Sequence, residues 1–133
     1  MTETTGSDGW PGGIGAITLF VEDLEAARAF YQAVFGLPVV YEDGNSAVFR
    51  FGETLINLLR ASEALSLVEP ATVAPVEAGV RHQFTLGVEN VDEMCDELKR
   101  RGVELLNGPM DRPWGIRTAS FRDPGGHIWE IAK

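Results

Sequence analysis

Ile17-Thr18-Leu19-Phe20-Val21-Glu22-Asp23-Leu24-Glu25 lines up with Phe84-Thr85-Leu86-Gly87-Val88-Glu89-Asn90-Val91-Asp92, with the Thr, Leu, Val and first Glu identical in register. Each copy alternates with period two before turning polar, which predicts a strand with one apolar face: Ile17, Leu19 and Val21, then Phe84, Leu86 and Val88. The opposite faces, Ala16, Thr18 and Phe20, then Gln83, Thr85 and Gly87, are mostly small or polar. Such a face suits the lining of a cavity better than contact with a helix.

A helix follows each strand. Leu24, Ala27, Phe30, Tyr31, Val34 and Phe35 form an apolar stripe at helical spacing, and Val91, Met94, Cys95 and Leu98 repeat it. Asp23 and Asn90 are placed as N-caps, Glu93 stands three residues beyond Asn90 as in a capping box, and Gly36 and Gly102 stop the helices. Short strand-like runs come next: Val39 to Glu42, Ala47 to Phe51 and Thr54 to Arg60, then Val103 to Leu106, Arg117 to Phe121 and His127 to Ala132. Asp43-Gly44-Asn45 and Asp123-Pro124-Gly125-Gly126 supply turns. The pattern predicts an α+β domain of two βαβββ repeats, 14–60 and 80–133. Residues 61–79 form the linker, with a short helix near Ser62 to Leu67. Residues 1–13 lack hydrophobic periodicity and read as a flexible leader, although Trp10 could dock.

A chain of 133 residues, 44% of them hydrophobic, suffices for one domain with its own core. Its formal net charge of −9 disfavours nucleic acid and anionic membranes, both of which need clustered Lys and Arg. A single cysteine, Cys95, makes no internal disulfide, and no segment has the ~20 apolar residues of a membrane span or the apolar core of a signal peptide. The expectation is a cytoplasmic protein.

Val21-Glu22-Asp23-Leu24-Glu25-Ala26-Ala27-Arg28-Ala29-Phe30-Tyr31 with Phe35-Gly36-Leu37, and the closing Phe121-Arg122-Asp123-Pro124-Gly125-Gly126-His127-Ile128-Trp129-Glu130-Ile131, together resemble the vicinal oxygen chelate superfamily. This superfamily holds glyoxalases, bleomycin-resistance proteins and extradiol dioxygenases. With the Gln83 to Asp92 segment, the resemblance spans roughly residues 14 to 133. It implies that the two repeats pair into an incomplete β-barrel around a cavity holding metal or ligand. In metal-dependent members, four side chains reach inward from the first and last strands of each repeat, and the matching positions here are Ala16, Asn57, Gln83 and Glu130. Ala16 has no electron pair to offer, and Asn57 and Gln83 supply only neutral oxygens. Glu130 is left as the single anionic donor, a set that would hold a transition metal weakly. If any metal is bound, Gln83 and Glu130 are the residues to hold it.

His82 and His127 fall at the opposite parity to Gln83 and Glu130, which argues against their replacing the missing ligands. Cys95, within a helical apolar stripe, reads as a core residue. Glu130 has two readings: a base or ligand, or a carboxylate satisfied by Asn57 or Gln83. Trp114, in the Asp111-Arg112-Pro113-Trp114-Gly115 loop, is expected to stack on a ligand at the cavity rim. Phe49 and Phe51 share one face of their strand and are either further ligand contacts or core.

The resemblance implies two function classes. One is a cofactor-free binding protein that sequesters a small amphipathic or aromatic molecule, as bleomycin-resistance proteins do, with the acidic charge drawing a cationic drug into an anionic cleft. The other is a lyase, epimerase or dioxygenase using a divalent metal ion, with Glu130 as metal ligand or base. A third lies between them, an isomerase or lyase that uses Glu130 without any cofactor. The short repeats leave strand edges exposed, so the chain is expected to form a homodimer with a small-molecule ligand as its other partner.

Overall fold

A computed structural model describes residue 9 and residues 11–133. Most of the expected leader, including Trp10, lies outside the described residues. In chain order the elements are β1 (Ala16–Val21), α1 (Leu24–Phe35), β2 (Val39–Glu42), β3 (Ser46–Phe51), β4 (Thr54–Arg60), α2 (Ala61–Val68), β5 (Gln83–Gly87), α3 (Val91–Arg100), β6 (Leu105–Asp111), β7 (Arg117–Arg122) and β8 (Ile128–Ala132).

Local chemistry sets the helix ends. Asp23 has extended backbone and its side chain accepts from the Ala26 N–H at 3.0 Å; Asn90 accepts from Glu93 N–H at 3.0 Å. Each bond satisfies a donor that has no partner inside the helix, worth about 1 kcal/mol. At the far end of α1, Gly36 takes the left-handed conformation, φ 67°, and its N–H bonds back to the Gln32 carbonyl.

The repeat in the sequence is a repeat in topology. One sheet has the order β1-β4-β3-β2 and the other β5-β8-β7-β6. The first strand of each repeat runs parallel to the last, and the other pairings are antiparallel. This is an α+β fold of two βαβββ modules in two mixed four-stranded sheets, of glyoxalase type.

The apolar strand faces share one core with the helices. Leu19, Val21, Phe49, Ile56 and Leu58 of the first repeat and Phe121, Trp129 and Ile131 of the second are buried in one cluster with Tyr31, Val91 and Leu98. Aromatic rings knit the repeats together: Trp129 stacks on Phe51 at 5.3 Å between centroids and meets Phe35 at 4.9 Å. Such pairs contribute about 0.5–1.5 kcal/mol beyond the area they bury. Within this core Trp129 Nε1 donates to the Tyr31 hydroxyl at 3.2 Å, and that hydroxyl donates to buried Asp123 Oδ2 at 2.7 Å. The His127 backbone N–H donates to Asp123 Oδ1 at 2.9 Å. Burial first, and the Asp123 carboxylate second, raise the Tyr31 phenol far above the ordinary tyrosine range.

One departure from the sequence reading concerns β6, and the hairpin of the first repeat decides between the two readings open for Phe49 and Phe51. The run expected to end at Leu106 extends to Asp111, with register shifts against β7 between Leu105 and Asn107 and again between Asn107 and Met110. Gly108 permits the second shift: its φ is 83°, and a Cβ there would lie 2.5 Å from the Thr118 carbonyl oxygen. In the hairpin, Phe51 opposes Thr54 and Val48 opposes Asn57. Phe49 and Phe51 therefore sit on the helix-facing side. Phe49 is 0% exposed, and both belong to the aromatic core rather than to a ligand surface.

Candidate ligand-binding cleft

Glu130 occupies the middle of β8, a central strand of the second sheet, and is half-buried. At the same register its neighbours are Thr85 on β5 and Ser120 on β7. Thr85 Oγ1 donates to Glu130 Oε1 at 2.9 Å, which orients the carboxylate and leaves Oε2 without a hydrogen-bond partner among the described residues. The first repeat builds the same pair with different chemistry: Thr18 opposes Asn57, and Asn57 Nδ2 donates to Thr18 Oγ1 at 3.4 Å. Asn57 Oδ1 is buried and has no hydrogen-bond partner among the described residues. The threonine shared by the two sequence copies is thus the residue that holds the last-strand polar side chain.

Glu130, Gln83 and Trp114 border one open cleft of about 560 Å³, which Ser120 and Leu106 also line. Trp114 is 69% exposed, so most of its indole is free for contact. Two arginines of the same cleft carried no role in the sequence reading. Arg112 Nε donates to buried Thr118 Oγ1 at 2.8 Å, and its guanidinium carbon lies 6.0 Å from the Trp114 ring centroid. Arg122 follows Ser120 by two residues on β7 and so shares its face, a periodicity already legible in Thr118, Ser120 and Arg122. The charge of −9 does not extend into this cleft, where two guanidiniums accompany one carboxylate; the expectation of an anionic cleft is corrected.

The histidines divide. His127 contacts Asp123 through Nδ1 at 3.0 Å and does not border the Glu130 cleft. His82 borders the edge of the cleft, but its ring lies 4.9 Å from Phe84 and 5.9 Å from His127, on the face opposite Gln83 that parity assigns to it. Cys95 is buried in α3, and burial pushes its thiol pKa up, as befits a core residue.

Ala16 and Asn57 lie on the first sheet and do not border the Glu130 cleft. The donors that one chain brings together there are Gln83 and Glu130, a neutral amide and one carboxylate. Among the described residues, no group of three or more His, Cys, Asp or Glu side chains is placed to hold a metal ion. The residues present do not fit the divalent ion used by metal-dependent relatives.

With this geometry in view, the comparisons with known proteins agree on the kind of molecule. The chain belongs to the Glyoxalase/Bleomycin resistance protein/Dioxygenase superfamily, whose family model matches residues 13–131. It is 35% identical over 122 residues to the uncharacterized protein YraH of Bacillus subtilis (strain 168), covering 88% of this chain and 94% of that one. It is 26% identical over 119 residues to the metallothiol transferase FosB of Lysinibacillus sphaericus (strain C3-41), covering 89% and 79%. A glyoxalase/bleomycin resistance protein/dioxygenase from Nocardioides superposes with a TM-score of 0.79 at 25% identity, covering 90% of this chain and 82% of that one. No helix among the described residues is long and apolar enough to cross a membrane.

Proposed function

We propose that this chain is a metal-independent binding protein that holds a small amphipathic or aromatic molecule in the second-repeat cleft, as sequestering members of the superfamily do. The observation that carries the reading is the joint lining of one open cleft by Gln83, Trp114 and Glu130, while the first-repeat positions that would complete a metal-donor set are Ala16 and Asn57. An exposed indole beside hydrogen-bonding groups is the usual composition of a small-molecule site. Ligand capture takes place in the cytoplasm, in keeping with the lone buried thiol of Cys95.

A second reading is a cofactor-independent lyase or isomerase. It is favoured by the Thr85 hydrogen bond, which fixes one oxygen of Glu130 and leaves the other to take a proton from a substrate carbon. The likeness to a protein named a metallothiol transferase supports an enzyme as well. In either reading the functional unit is a homodimer. Ala16 and Thr18 are exposed on the polar face of the first sheet, and a partner's second sheet would give that face something to meet.

Native mass spectrometry of the purified protein against a metabolite and antibiotic library tests both readings, with elemental analysis of the same sample. Binding expects an unmodified adduct that Trp114→Ala diminishes, with no stoichiometric metal. A converted library compound, lost in Glu130→Gln, would select the enzyme. Stoichiometric zinc, iron, manganese or nickel, lost in Glu130→Ala, would overturn the metal-independent reading.

A further inference from the structure

The arginines of this chain fall into two groups. Arg28, Arg60, Arg100, Arg101 and Arg117 each pair with a carboxylate at 3.0 Å or less. Arg50, Arg81, Arg112 and Arg122 have no carboxylate partner among the described residues, and of these four Arg112 and Arg122 border the Glu130 cleft. In a chain with 20 acidic and 11 basic side chains, carboxylate partners are abundant. Arg112 is instead anchored by neutral acceptors, with Nε on Thr118 at 2.8 Å and Nη2 on Asn107 at 3.4 Å. These bonds fix the plane of the guanidinium without neutralising it, and its remaining N–H groups are available as donors. Arg122 stands on the rigid strand that carries Ser120, one residue pair along β7, and is exposed.

A guanidinium held in place with its charge uncompensated is built to receive an oxyanion, since it offers parallel N–H donors that match a carboxylate or phosphonate. Beside it, the Trp114 indole offers a flat apolar face. We infer that the cleft selects small planar organic anions, with the acid group between Arg112 and Arg122 and the ring on Trp114. A hydroxyl or amine of the same ligand then donates to Glu130. The inference rests on the second-repeat cleft being the ligand site and adds the charge of what it takes. It replaces the cationic ligand that net charge suggested, because a bound ligand meets the charges lining the cleft while exposed charges further away are screened by salt.

Three probes of matched shape test it: 2-naphthoate, 2-naphthamide and 2-naphthylmethylammonium, each titrated by calorimetry at two ionic strengths, with the Trp114 indole resonance followed by NMR. The expected result is that 2-naphthoate binds at least tenfold more tightly than the ammonium probe. That preference should shrink at high salt and fall at least fivefold in Arg122→Gln and in Arg112→Gln. Arg122→Gln alters only an exposed side chain, so its result stands even if Arg112→Gln disturbs β6. If all three probes shift the indole with equal affinity, or the cation binds best, the anion assignment is overturned while the cleft remains a ligand site. If none shifts it, the ligand site itself falls and takes the assignment with it.

Discussion

Trp114 and Tyr31 stand for the two tasks that aromatic residues perform in this fold. Trp114 is exposed at the cleft rim, so Trp114→Ala should leave the melting temperature nearly unchanged and weaken an aromatic ligand by about 1 kcal/mol, roughly fivefold in Kd. Calorimetry against any ligand recovered from a screen checks this, and an unchanged Kd would remove Trp114 from the site. Tyr31 is 0% exposed and donates to Asp123, so Tyr31→Phe should cost about 1–3 kcal/mol in chemical denaturation at neutral pH by taking a donor from a buried carboxylate. Its pH dependence has a definite sign. With the phenol raised in the folded state, the unfolded chain releases a proton near pH 10 that the folded chain keeps. The stability from this group is present below that pH and declines above it, and Tyr31→Phe should flatten the decline. An equal alkaline slope in both proteins would contradict the buried neutral phenol. Among single residues, the cleft-side placement of Gln83 and Glu130 was legible from the positions the family resemblance matches, with strand parity in support. The faces of Phe49 and Phe51 were not, because they depend on how β3 registers against β4. Arg112 and Arg122 were passed over because net charge averages over the surface and hides a local excess.

The helices were readable almost to the residue, since Asp23 and Asn90 announce their caps by side-chain chemistry, whereas β6 was not. Its course past Leu106 depends on a bulge at Gly108 that no alternation of side chains signals. That bulge bears on the proposed site, because the strand it redirects leads into the loop carrying Arg112 and Trp114. Gly108→Ala would force a Cβ to within 2.5 Å of the Thr118 carbonyl oxygen at φ 83°, so β6 must shift. The expected cost is on the order of 2 kcal/mol or more in denaturant unfolding, with weaker ligand binding than the stability loss alone explains. A variant of wild-type stability and affinity would mean that the bulge does not hold the loop.

At the scale of the whole molecule, the internal repeat made the βαβββ architecture legible, because two copies of one strand-helix pattern leave few alternatives. How the polar faces of the two sheets are completed was not legible. Among the described residues the two sheets have no strand pairing between them, and the Glu130 cleft is bordered by the second repeat rather than by Ala16 and Asn57. Exposed Val40 and Tyr41 on the edge strand β2 add apolar surface that a partner would cover. Sedimentation equilibrium at micromolar concentration should return twice the 14.5 kDa chain mass. A mass at the monomer value, constant as concentration rises, would mean that one chain forms the complete site.

The second-repeat cleft is the proposed place where this protein meets its ligand. It is tested most directly by amide and indole NMR of the isotopically labelled chain against a fragment library of small aromatic acids, amides and amines. The expected chemical-shift changes are concentrated at Gln83, Asn107, Ser120, Glu130 and the Trp114 indole, with little change at Val34, Met94 and Leu98 around the cavity between the helices. Shifts centred on that second cavity, with Glu130 and Trp114 unmoved, would contradict it.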